Sequence, residues 1–124
     1  MSENVNVNVK DLMQRYIDIW NESDPAARRA AIDRLYTEDC AYTDPLGAVT
    51  GRAGIDGFIA GVQRQFPGIQ FRLAGAVDAH HAQARFTWHA GGPGAEPAAI
   101  GFDVAILAGD RIRSIYGFLD KAPF

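Results

Sequence analysis

The chain is expected to fold as an α+β domain, with helices in its first half and an antiparallel sheet in its second. Two observations lead there. Up to Phe66 the apolar residues recur every three or four positions, and beyond Gly68 the chain breaks into short strand-like runs divided by turn residues. Helices first and strands later is an α+β order rather than an alternating one. The 124 residues suit one domain with its own core, residues 1–124, and are too few for separate catalytic and cofactor domains.

Residues 1–7 form a polar leader, expected to be disordered. Val9, Leu12, Met13, Tyr16, Ile19 and Trp20 then share one helical face, which predicts a first helix from about Asn8 to Glu22. Asp24 is a capping residue, and Pro25 follows where its missing N–H costs nothing, so a second helix runs on to about Tyr36. Cys40 to Thr43 reads as a brief strand, stopped by the loop Asp44-Pro45-Leu46-Gly47. From Ala53, the positions Ile55, Phe58, Ile59, Val62 and Phe66 return to helical spacing until Pro67-Gly68 ends a third helix.

Four strands are predicted near 69–77, 81–90, 98–108 and 111–120. Their turns, at His80-His81, Gly91-Gly92-Pro93-Gly94 and Gly109-Asp110, are short enough for hairpins. A curved meander of this kind would place Phe86, Trp88, Ile115 and Leu119 on its concave face. In the run 98–108, Ile100, Phe102, Val104 and Ile106 share one face while Gly101, Asp103, Ala105 and Leu107 share the other. Both faces are largely apolar, so one is expected under the helices and the other against a second copy, giving a homodimer through the outer sheet face.

Composition narrows the function. The net charge is −3 with 48% hydrophobic and 22% charged residues, and no segment joins Lys and Arg to aromatics, which argues against nucleic acid as a partner. Cys40 is the single cysteine and the three histidines are scattered, so neither a disulfide nor a standard zinc spacing is indicated. No stretch has the apolar length of a membrane span and the N-terminus has no signal-peptide pattern, so a cytoplasmic location is expected. His80-His81 reads as a solvated turn whose side chains point apart, His89 as exterior or interfacial, Glu38 and Asp39 as loop residues, and Arg111 and Arg113 as an exposed sheet edge.

Four strings go further: Leu12-Met13-Gln14-Arg15-Tyr16-Ile17, Tyr36-Thr37-Glu38-Asp39, Thr43-Asp44-Pro45-Leu46-Gly47 and Phe102-Asp103-Val104. In order and content they resemble the SnoaL-like branch of the nuclear-transport-factor-2 (NTF2) superfamily, with ketosteroid isomerase the nearest named comparison, over nearly the whole chain. The resemblance implies a cone-shaped NTF2-like fold, three N-terminal helices on a curved, mostly antiparallel sheet enclosing a pocket. In ketosteroid isomerases the tyrosine of the first string and the aspartate of the last hold the substrate carbonyl oxygen, and the aspartate before proline moves the proton. The matching positions are Tyr16, Asp103 and Asp44. Two positions depart from the pattern: Ile59 stands where some members carry a tyrosine, and Leu119 where some carry an aromatic.

Moving a proton next to a carbonyl needs a base and donors for the charge that appears on oxygen. Asp44, at a loop with partial access to water, is the expected base. Asp103, on a strand facing an apolar cavity, is expected to be pushed toward its neutral, donating form by desolvation, and Tyr16 is the second donor. Trp20, Tyr36, Phe58, Phe86, Trp88, Ile115 and Leu119 are expected to line the pocket. The expected function is cofactor-free, ketosteroid isomerase-like proton transfer on a small hydrophobic carbonyl compound, requiring no metal or organic cofactor. The alternatives are a SnoaL-like polyketide cyclase and a non-catalytic domain that binds a hydrophobic small molecule.

Overall fold

The computed structural model describes residues 8–123, so the leader at 1–7 lies outside the described residues. The elements run α1 (Val9–Asn21), α2 (Pro25–Leu35), β1 (Tyr36–Asp44), β2 (Gly47–Thr50), α3 (Gly51–Gln65), β3 (Gln70–His80), β4 (Gln83–Gly91), β5 (Ala99–Ala108) and β6 (Arg111–Lys121). Three helices pack on a six-stranded, mostly antiparallel sheet of order β2-β1-β6-β5-β4-β3, the α+β arrangement that was expected.

Local signals set the helices. The Asn8 side chain accepts the Asp11 N–H at 3.2 Å and starts α1, whose periodic face buries Leu12, Met13, Tyr16, Ile17, Ile19 and Trp20. Asp24 accepts the Ala27 N–H at 2.8 Å and Pro25 takes the first turn of α2, as expected of a capping side chain followed by proline. Leu35 ends that helix because Tyr36 is already extended, at φ −99° and ψ 152°. The N-terminus of α3 comes two residues earlier than the periodicity suggested, at Gly51, whose φ of +77° suits the absence of a Cβ. Asn21 ties α1 to the sheet: its side chain donates to the Phe71 carbonyl and accepts the Phe71 N–H, both at 2.8 Å.

The first half of the sheet departs from expectation. Instead of a brief strand at Cys40–Thr43, β1 spans nine residues, and the segment after the Pro45-Leu46 turn is a second strand, β2, paired from Asp44–Gly47 to Ala41–Thr50. Strand β1 also runs parallel to the distant β6, with Tyr36 opposite Ile112 and Tyr42 opposite Ile115 and an irregularity between Tyr36 and Ala41, while Asp44 at its end pairs with Gly47 of β2. The pairing with β6 corrects the reading of Arg111 and Arg113 as an edge. Although both side chains are exposed, β6 lies between β1 and β5, and Arg111 donates to the carbonyls of Asp33 and Tyr36 at 3.0 and 3.2 Å.

The meander from β3 to β6 forms as expected, with a register shift between Ala74 and Asp78 where Gly75 adopts φ +84°, an irregularity that bends the strand. Gly101, Asp103, Ala105 and Leu107 of β5 are buried toward the helices, while Ile100, Phe102, Val104 and Ile106 on the opposite face are half-buried. Tyr116 and Phe118 of β6 continue that outer face, 47% and 58% exposed. At the β3–β4 turn the two histidine rings do not point apart: His81 takes φ +55°, which leaves the strand geometry, and the Nδ1 atoms of His80 and His81 lie 3.0 Å apart. His89 sits on the outer face, and Asp39, exposed in β1, accepts the Thr37 hydroxyl at 2.8 Å. No helix among the described residues is long and apolar enough to cross a membrane.

Candidate active site

Two carboxylates face one cavity between α1, the end of α3 and the inner side of the sheet. Asp103 reaches it from the middle of β5, on the buried face of the strand's alternation. Asp44 reaches it from the last position of β1. Strand β6 runs between them: Gly117 pairs with Asp103 on one side, and Thr43, next to Asp44, pairs with Tyr116 on the other. A Cβ at Gly117 would stand 2.8 Å from Asp103 Oδ1 and 3.3 Å from Asp44 Cβ. A glycine there lets both acids occupy the same space.

Each acid is held by a phenol. The Tyr16 hydroxyl, delivered by α1, donates to Asp103 Oδ2 at 2.8 Å, and the Tyr42 hydroxyl donates to Asp44 Oδ2 at 2.6 Å. The other oxygen of Asp44 accepts the backbone N–H groups of Leu46 at 2.7 Å and Gly47 at 3.2 Å, the side-chain turn that Asp before Pro favours. A carboxylate offers about four lone-pair positions, so three donors leave one for a ligand.

Asp103 is only 2% exposed. Burial drives its carboxyl from the ordinary 3.8 up to about 7, against the downward pull of the Tyr16 and Trp88 hydrogen bonds, and the nearby Asp44 charge adds to the rise. The same burial, followed by the proximity of Asp103, raises the Tyr16 and Tyr42 hydroxyls well above their usual value. Both phenols therefore remain protonated donors across the working pH range.

Ile17, Trp20, Phe71, Trp88, Ala99 and Leu119 line the apolar wall, Val62, Phe66 and Ile69 add the end of α3 and the loop after it, and exposed Leu46 and Pro123 mark the rim. The cavity volume is about 50 Å³, room for a few waters and far below the roughly 300–1,000 Å³ of pockets that enclose drug-sized ligands.

All three residues expected to carry chemistry, Tyr16, Asp44 and Asp103, border this one cavity, as do Trp20, Trp88 and Leu119. The structure does not bring the remaining expected lining residues to its wall. Phe86 and Ile115 are buried in the core behind it, and Phe58 packs on Trp20 and Tyr42 with ring centroids 6.2 and 5.2 Å away. Tyr36 is fully buried, with no hydrogen-bond partner for its hydroxyl among the described residues. The phenol that supports the second acid is Tyr42, which sequence reasoning missed. The signal was available, since residues two apart on a strand share a face, and Tyr42 precedes Asp44 by two. Among the described residues no cluster of three or more His, Cys, Asp or Glu side chains is placed to hold a metal ion.

A family model described as SnoaL-like domain matches residues 13–115. The chain belongs to the SnoaL-like family. Among solved structures, a SnoaL-like family protein from Agrobacterium tumefaciens, proposed to be an isomerase, is 37% identical with a TM-score of 0.85, covering 90% of this chain and 96% of that one. A protein from Kribbella flavida proposed to be a ketosteroid isomerase is 19% identical, with a TM-score of 0.67 and coverage of 90% and 77%. A protein from Jannaschia proposed to be a SnoaL-like polyketide cyclase is 15% identical, with a TM-score of 0.69 and coverage of 90% and 86%. The latter two share the SnoaL-like fold with this chain. No curated protein matches the chain.

Proposed function

We propose that this SnoaL-like domain catalyses cofactor-free proton transfer at a carbon beside the carbonyl of a small hydrophobic compound, in the manner of a ketosteroid isomerase. The observation that carries this reading is the pair of acids separated by Gly117 over one apolar cavity, one of them raised to about 7. Asp44 takes the proton from carbon through its remaining lone pair while Tyr42 and the turn amides fix the carboxylate. Electrons move onto the carbonyl oxygen, which Asp103 in its protonated form and Tyr16 meet with hydrogen bonds. Asp44 then returns the proton. In the free protein Tyr16 donates to Asp103, so ligand binding must turn that hydroxyl onto the substrate oxygen. The small cavity favours a compact substrate over a steroid-sized one. The identity to the Agrobacterium protein supports an isomerase as well.

The direct test is conversion of 3-cyclohexen-1-one to 2-cyclohexen-1-one, followed by absorbance. Asp44→Asn is expected to lower kcat by about 10²–10⁴, and Tyr16→Phe by about 10²–10³. Turnover that is unchanged in Asp44→Asn would remove that residue as the base. A cyclase reading draws support from the titration of Asp103 near neutrality, which suits an acid and base for aldol closure; turnover of β-keto esters but not of the enone would favour it.

A second copy of the chain is proposed as the protein partner. Tyr116 and Phe118 pair across the sheet with Val104 and Phe102, so the exposed aromatics form one apolar patch on the sheet face that no helix among the described residues covers.

A further inference from the structure

Trp88 enters the site from β4, directly opposite Gly101 of β5. A Cβ at Gly101 would overlap the indole ring at Cζ2 and Cε2, so the indole lies flat across the β5 backbone and only glycine accommodates it. Phe71 of β3 packs against the ring at a centroid distance of 5.4 Å and an angle of 64°, which fixes the indole from the side. Two residues beyond Gly101 on the same face stands Asp103, and the edge of the indole that carries Nε1 lies on that face, with Nε1 2.5 Å from where a Cβ of Gly101 would stand.

We propose that Trp88 is a positioning residue for Asp103: seated on Gly101, its indole N–H grips the carboxyl together with the Tyr16 hydroxyl in the free protein, and keeps its hold when that hydroxyl turns to the substrate oxygen. This deepens the proton-transfer reading and rests on it, because it concerns the acid of that site. The groups around Asp103 are Tyr16 from α1, Tyr36, Tyr42 and Asp44 from β1, Trp88 from β4 and the glycine backbone of β6. None of these is cationic. The two hydrogen-bond donors are therefore what offsets burial, and removing the indole donor leaves the carboxyl harder to ionise.

The chain has two tryptophans, so a proton–nitrogen spectrum of the labelled protein shows two indole signals, and Trp88→Phe assigns one by its loss. That signal is expected to move between pH 5 and 9 with a midpoint near 7, and to stop moving in Asp103→Asn. The second control separates Asp103 from His89, the neighbour of Trp88 on the opposite strand face.

Carbon detection of the Asp103 carboxyl supplies the other arm. A hydrogen bond to a charged group is worth enough to move the midpoint by about 1 pH unit, so Trp88→Phe is expected to raise it by about that much. Gly101→Ala, which keeps the indole but removes its seat, is expected to raise it in the same direction. An indole signal that stays still across the range in the wild type, or an Asp103 midpoint unchanged in both variants, overturns the proposal. The wild-type titration stands even where a variant does not fold. Neither arm uses a substrate, so loss of the enone reaction with these titrations intact would refute the catalytic reading and leave the role of Trp88 standing.

Discussion

Asp103 connects chemistry to stability. Its folded value of about 7 lies above the ordinary 3.8, so folding favours the protonated form. Its contribution is present in full below about pH 4 and is lost as pH rises through about 7. Asn cannot ionise and can still accept the Tyr16 hydroxyl, so Asp103→Asn is expected to gain stability relative to the wild type as pH rises. The gain between pH 5 and 8 should be about 2–3 kcal/mol, read from urea unfolding at the two values. A difference that is flat with pH would mean the carboxyl is not held neutral by its surroundings. The cost of keeping an acid in this place is thus a protein that is less stable in the range where the acid can also ionise.

At the level of elements, the wall of the cavity depends on how α1 meets β3. The paired hydrogen bonds between Asn21 and the Phe71 backbone imitate a strand partner at the end of a helix, and they set Trp20 against Phe71 at a ring distance of 5.5 Å. Asn21→Ala is expected to cost about 2 kcal/mol, from two hydrogen bonds of roughly 1 kcal/mol each, measured by thermal or urea unfolding. It should also weaken binding of a phenol in the pocket more than the loss of stability alone explains.

The elements differ in how plainly the sequence announced them. Capping at Asp24, the periodic face from Leu12 to Trp20 and the alternation around Asp103 are local, and each was legible. The long β1 was not, because Thr37, Glu38 and Asp39 lack strand character and sit in an irregularity between Tyr36 and Ala41, the positions on either side that pair with β6 far along the chain. The same distant pairing turned an apparent edge strand into an interior one. Within the site, Tyr16, Asp44 and Asp103 were readable from the strings that carry them, whereas Val62, Phe66 and Phe71 join the pocket through packing that no short pattern encodes.

For the whole molecule, the outer sheet face is the surface the proposed dimer would bury. Covering a contiguous apolar patch removes it from water, and here Tyr116, Phe118, Phe102 and Val104 form one across adjacent strands. Sedimentation is expected to show a dimer, and Phe118→Glu to shift it toward monomer while leaving the Tyr16–Asp103 pocket, on the opposite face, intact. A wild-type monomer at all accessible concentrations would refute the paired arrangement.

The parallel contact of β1 with β6 has a bearing on how the chain folds. Asp44 belongs to the first strand made and Asp103 to the fifth, yet they face each other only because the last strand slots between their two strands. The helices and the β1–β2 hairpin can form early from near neighbours, but the closure joining Tyr42 to Ile115 spans most of the sequence, and such contacts are slow to find. During synthesis, then, the two acids remain strangers until β6 has left the ribosome. The pocket cannot form before β6 is in place, and a chain shortened before β6 would carry every residue of the acid pair and none of its geometry.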